Sequence, residues 1–119
     1  MKDVILHLGL HKTGSTSIQA ALHGFAQDKV KTVSFAYDNH SIPMYTIFSS
    51  RRHNYHIWKN VGYDERTIDR VRDGFLSTLN AEMDDKNFET LMVSGEDLSI
   101  LEPQDIKDMA AFSREMGVG

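Results

Sequence analysis

Eight residues near the start of the chain, Gly9-Leu10-His11-Lys12-Thr13-Gly14-Ser15-Thr16, combine the groups that a bound phosphate needs. Glycines let backbone N–H groups approach an anion closely, and a following helix adds free N–H groups and the positive end of its dipole. Gly9 and Gly14 bracket the turn; Ser15, Thr16 and Ser17 each bring a hydroxyl; Lys12 brings a full positive charge on a flexible stem. The spacing matches the nucleotide-binding pattern G-x-x-x-x-G-K-[ST] at Gly9, Gly14 and Thr16, but Ser15 stands where that pattern has its lysine. Lys12 approaches instead from within the turn. Asp97 is the one arguable partner for a magnesium site, so the pattern points away from Mg-ATP hydrolysis. The plainer alternative is a tight turn in which Ser15 caps a helix.

An acceptor group that is to lose a proton needs a base near such a loop. Ligands of open α/β sheets bind at the carboxyl ends of the strands. The run Ser94-Gly95-Glu96-Asp97-Leu98-Ser99 follows an apolar strand, which makes Glu96 the first candidate and Asp97 the second. In the competing reading Asp97 or Ser99 caps a turn and Glu96 is solvated. His7 lies inside an apolar strand and suits a hydrogen-bonded core position, whereas His11 can meet an anion when protonated. Arg51, Arg52, His53 and His56 form a basic cluster suited to a sulfated or carboxylated acceptor, or simply a solvated loop. His53 and His56 lack a third metal ligand nearby, so no metal site is assigned.

These residues need elements to hold them. Residues 3–8 read as an apolar strand buried on both faces. Residues 15–27 read as a helix with Ile18, Ala21, Leu22 and Phe25 on one face. Residues 31–37 alternate as a half-buried strand, with Val33, Phe35 and Tyr37 on one side. Residues 38–63, interrupted by Pro43, suggest a short helix and irregular chain. Residues 64–84 form a strong amphipathic helix with Asp64 as N-cap and a stripe of Ile68, Val71, Phe75, Leu76, Leu79 and Met83. Residues 89–94 read as a second buried strand. Pro103 opens a last helix, with Asp105 near its positive end; it is expected to run to about Met116 and to be capped by Gly117. The order β-α-β-α-α-β-α implies an α/β fold with a mostly parallel sheet covered by helices on both faces. Residues 1–119 are expected to be a single domain. Three strands are few for that architecture, so the front part of a larger α/β domain is expected; a complete small domain is the alternative.

Composition narrows the function classes. The chain has 119 residues, 40% apolar and 25% charged, and a formal net charge of −4. That balance argues against nucleic acid and membrane surfaces as partners. There is no cysteine, which excludes disulfides and thiolate metal sites. No apolar run approaches the ~18 residues of a membrane span. With no signal peptide visible, a cytoplasmic location is expected. A sheet with an open edge would favour a homo-oligomer.

The run Leu6-His7-Leu8-Gly9-Leu10-His11-Lys12-Thr13-Gly14-Ser15-Thr16-Ser17 resembles the 5′-phosphosulfate-binding loop of sulfotransferases, most closely the bacterial members with a His-Lys-Thr-Gly-[Ser/Thr]-Thr-Ser loop. The resemblance implies a three-layer P-loop-like α/β fold that binds 3′-phosphoadenosine-5′-phosphosulfate (PAPS, leaving PAP) without a catalytic metal. It implies that Lys12 binds the 5′-phosphate and bridging oxygen and steadies the leaving group. Thr13, Gly14, Ser15, Thr16 and Ser17 would hold the 5′-phosphate, with His11 beside them. The family strand in the position of 89–94 often ends near the catalytic base, which suits Glu96. The family's second cofactor site, an arginine and a serine on the 3′-phosphate, has no match here and is expected just beyond Gly119. The acceptor would be a small molecule or a glycan, through a hydroxyl or amine. Two other readings stay open: a P-loop nucleoside or metabolite kinase with a displaced lysine, and a non-catalytic phosphate-binding module.

Overall fold

The apolar run Val4-Ile5-Leu6 near the start of the chain builds an inner strand, β1 (Lys2–His7). The structure, a computed structural model, describes residues 2–7, 26–27, 29–35, 37 and 39–118. β4 (Thr90–Ser94) runs parallel to β1, with Val4 opposite Leu91 and Leu6 opposite Val93, all four buried. On the other side of β1 lies β5 (Ser113–Val118), also parallel. β3 (Val30–Thr32) is parallel to β4, and the two-residue β2 (Ala26–Gln27) pairs antiparallel with β3. The order among the described strands is β2-β3-β4-β1-β5. The fold is α/β, with four parallel strands and helices packed against them.

The helices follow the sequence pattern closely where tertiary pairing does not compete. α1 (Ser41–Phe48) carries Pro43 in its first turn, where no intrahelical N–H is needed. After a 3-10 turn at Arg52–Asn54 comes α2 (His56–Val61), docked by Trp58, whose indole N–H donates to Thr46 Oγ1 at 2.9 Å. α3 (Glu65–Asp84) begins where expected, with Asp64 accepting from the Thr67 N–H at 2.8 Å. α4 (Pro103–Ala110) has Pro103 in its first turn and a capping box between Glu102 and Asp105. The core gathers Val4, Leu6 and Val93 of the sheet with Met44, Ile47, Ile68, Leu79 and Met109 of the helices.

Several expectations are corrected. The last helix does not reach Met116. It ends at Ala110, and Ser113–Val118 is a strand. Ser113 Oγ donates to the Ala110 carbonyl at 2.9 Å, and the following residues gain the main-chain partners that β1 offers at its side. Gly117 therefore sits in a strand opposite Ile5, not at a helix cap. Of the helix expected over 15–27, residues 15–25 lie outside the described residues, while Ala26 and Gln27 form β2. Lys29, at φ 68°, makes the left-handed turn back into β3. Strand pairing in the 31–37 run extends to Val33, whose N–H donates to the Met92 carbonyl at 3.0 Å. β1 is also not buried on both faces: Ile5 is 42% exposed, because the described helices pack on the Val4 and Leu6 face.

Chain direction explains which face the described helices take. The connections β3-to-β4 and β4-to-β5 advance across the sheet in the same sense, so right-handed crossovers put α1, α3 and α4 on one face. Contacts of α1 with both α3 and α4 agree. The connection from β1 to β3 advances the opposite way. β1 and β4 are thus neighbours whose connections leave in opposite senses, the arrangement that opens a crevice at the carboxyl edge of a sheet.

Candidate functional site

At that edge His7, the last residue of β1, lies opposite Ser94, the last of β4. Parallel pairing therefore sets the ends of β1 and β4 side by side, each followed in sequence by a candidate segment. The first segment holds Gly9, His11, Lys12, Thr13, Gly14, Ser15, Thr16 and Ser17, all of which lie outside the described residues. The second runs through Gly95 into a 3-10 turn, Glu96–Ile100, so the backbone of Glu96 sits two residues past the His7 and Ser94 pair. The side chain of Glu96 lies outside what is described, as do those of His7 and Ser99.

What is described is a tightly joined corner. His40 exchanges two bonds with Ser94: its backbone N–H donates to the Ser94 carbonyl at 2.8 Å, and its Nδ1 accepts the Ser94 N–H at 3.0 Å. A ring nitrogen that accepts carries no proton, so the imidazole proton of neutral His40 is on Nε2. Next to it, Ser41 opens α1 and donates its N–H to Asn39 Oδ1 at 3.0 Å. Ser41 Oγ in turn accepts the Asp97 N–H at 2.8 Å. Gly95 lies so close to Ser41 that a Cβ there would stand 2.4 Å from both Ser41 N and Oγ. On the far side, Tyr55 donates its phenolic proton to Asp97 Oδ2 at 2.8 Å. Burial, this bond and the nearby carboxylate charge all push the Tyr55 phenol well above its ordinary range. Asp97 is therefore bound into the corner through both its backbone and its carboxylate.

The chain matches no protein-family model, no curated protein and no solved structure.

Three members of the basic cluster pair with two carboxylates, and Arg52 and His53 share Asp69. Arg51 pairs with Glu102 at 3.3 Å, Arg52 with Asp69 at 3.2 Å, and His53 Nε2 with Asp69 at 2.7 Å. His56 lies edge-on to Tyr55, with ring centroids 5.0 Å apart. The place of Asp69 and its two partners follows from α3, which runs antiparallel to β3: Glu82 meets Lys31, and Phe75 meets Phe35. Asp69 is about 9 Å further along the helix, at 1.5 Å per residue, and so on the carboxyl side of the sheet. Among the described residues no group of three His, Asp or Glu is placed to hold a metal. No described helix is long and apolar enough to cross a membrane.

His40, Ser41 and Tyr55 escape sequence reasoning. They lie in the irregular stretch, and nothing in their spacing announces partners 42 to 56 residues away. Gly95 carries a signal of sorts, because a glycine directly after a buried strand marks a close backbone approach.

Proposed function

We propose that the chain is a PAPS-dependent sulfotransferase, or part of one, in a P-loop-like fold. The observation that carries this reading is the pairing of His7 with Ser94. It brings the end of the strand that precedes Gly9–Ser17 in sequence beside the end of the strand that precedes Glu96, at the sheet edge where such folds bind ligands. Lys12, with Thr13, Gly14, Ser15, Thr16 and Ser17, would hold the 5′-phosphate of PAPS, and His11 would lie against the same anion. When bound, PAPS supplies the sulfuryl group. Glu96 takes the proton from the hydroxyl or amine of a small-molecule or glycan acceptor. Lys12 neutralises charge at the oxygen that leaves with PAP, the electrostatic help such transfers need most.

Thermal unfolding with and without PAP tests the reading. At a hundredfold excess over Kd, binding stabilises by about 2.7 kcal/mol, which for a domain of this size raises Tm by several degrees. Lys12→Ala should abolish the rise. No rise at saturating PAP overturns the proposal, and ATP binding that disappears with EDTA points to the kinase instead.

A further inference from the structure

Away from the His7 and Ser94 corner, one cleft of about 310 Å³ gathers charged side chains, a size at the lower end of small-molecule sites. Its floor is the end of α1, with Ile47 and Phe48. Arg52 and Arg72 line it from the 3-10 turn and α3; Asp105 and Asp108 line it from α4. The arginines thus come from the 3-10 turn and α3 and the carboxylates from α4, and both α3 and α4 touch α1.

Both guanidiniums are anchored and both keep an open arm. Arg72 donates from Nε to the Ile47 carbonyl at 2.9 Å, and its Nη1 lies 3.9 Å from Asp73. Arg52 donates from Nε to Asp69 at 3.2 Å and from Nη1 to the Ser49 carbonyl at 3.5 Å. These bonds hold the side chains against the end of α1, where a helix leaves carbonyls unpaired. Among the described residues neither Nη2 has a hydrogen-bond or ion-pair partner. Opposite them, Asp105 is buried and accepts the N–H groups of Ser50 and Glu102. Asp108 is exposed and accepts from Gln104 through Oδ1; among the described residues its Oδ2 has no hydrogen-bond partner. Phe48 and Phe112 meet edge to face at 5.3 Å in the same cleft.

The four charges of the lining cancel, two positive and two negative. A plain anion would meet Asp108, and a plain cation would meet the arginines. We propose that this cleft binds a small zwitterion, an α-amino acid with an apolar side chain. Its carboxylate takes the Nη2 donors of Arg52 and Arg72 as charge-assisted hydrogen bonds. Its ammonium meets Asp108 Oδ2, and its side chain lies on Phe48 and Phe112.

Calorimetric titration of the whole chain tests this with L-phenylalanine as probe and two half-ligands, 3-phenylpropionate and 2-phenylethylamine. L-phenylalanine should bind saturably and each half-ligand at least tenfold more weakly. Asp108→Asn, on an exposed helix face, should leave Tm unchanged and bring L-phenylalanine down to the level of 3-phenylpropionate. Arg72→Lys, which can still reach the Ile47 carbonyl, should also lose at least tenfold. Absence of saturable binding overturns the proposal, as do equal binding of 3-phenylpropionate and an unchanged affinity in Asp108→Asn. The readout involves no PAP, so it stands or falls apart from the sulfotransferase reading.

Discussion

Tyr55 and Asp97, 42 residues apart in sequence, meet at 2.8 Å and tie the segment after β4 to the start of α2. Tyr55 is buried, and replacing it by Phe leaves the carboxylate one donor short. Hydrogen bonds to charged groups contribute about 1.5–3 kcal/mol, and Tyr55→Phe should lose about that much in urea unfolding at pH 7. The pH dependence has a definite sign. The folded pKa of the phenol is raised above its unfolded value of 10.0, so the stabilisation is complete below pH 10 and is lost as pH rises above it. Stability of the parent chain should therefore fall faster above pH 10 than that of Tyr55→Phe; parallel curves would contradict this account.

Lys31 and Glu82 form an ion pair at 2.8 Å with side chains only 14% and 10% accessible. Lys31 also lies 4.9 Å from the centre of the Phe88 ring. Removing one partner of a buried pair strands the other charge, at about 3–5 kcal/mol. Lys31→Met should cost that much. The double variant Lys31→Met/Glu82→Leu should recover most of it, because an apolar pair leaves no buried charge. Chemical denaturation of both variants measures the difference.

Asp69 is held below the usual carboxylate range, first by its hydrogen bond from His53 and then by Arg52. A depressed folded pKa gives stability that is present above the unfolded pKa and lost as pH falls through the folded one. The parent chain should therefore exceed Asp69→Asn in urea midpoint near pH 6, and the two should converge toward pH 2. High salt should shrink the difference at pH 6, because the group is largely solvated. A difference that persists unchanged at pH 2 would assign the effect to packing.

What the sequence discloses tracks the range of the interactions involved. α3 is legible because its stripe and its cap, Asp64 on Thr67, are local. The start of α4 is legible for the same reason, through Pro103 and Asp105. Its end is not. Ser113–Val118 contains Arg114, Glu115 and Met116, good helix formers, yet main-chain pairing with β1 overrides their preference. β4 is legible from its apolar run, and with it the position of Glu96 directly after that strand. The supports around Glu96 are illegible, since His40 reaches Ser94 and Tyr55 reaches Asp97 only through tertiary structure.

Two glycines test how far close approach, and not backbone freedom, governs the corner. Gly95 has φ −169°, an extended conformation open to any residue, so an alanine there is opposed by space alone. Its Cβ would lie 2.4 Å from Ser41 N and Oγ and 2.9 Å from Ser41 Cα. The hydroxyl can rotate away, but the backbone atoms cannot without moving the start of α1. Overpacking of this kind costs about 1–3 kcal/mol, and Gly95→Ala should show it as a lowered Tm. Adding Ser41→Ala should restore only part, since Ser41 N and Cα stay in the way. Gly74, in the interior of α3, has nothing within 4 Å of its own Cβ position. There the same substitution relieves the conformational cost of a helical glycine, and Gly74→Ala should raise stability by about 0.5–1 kcal/mol. Opposite signs at the two positions would locate the cost at Gly95 in its contact with Ser41; a fall at both would not.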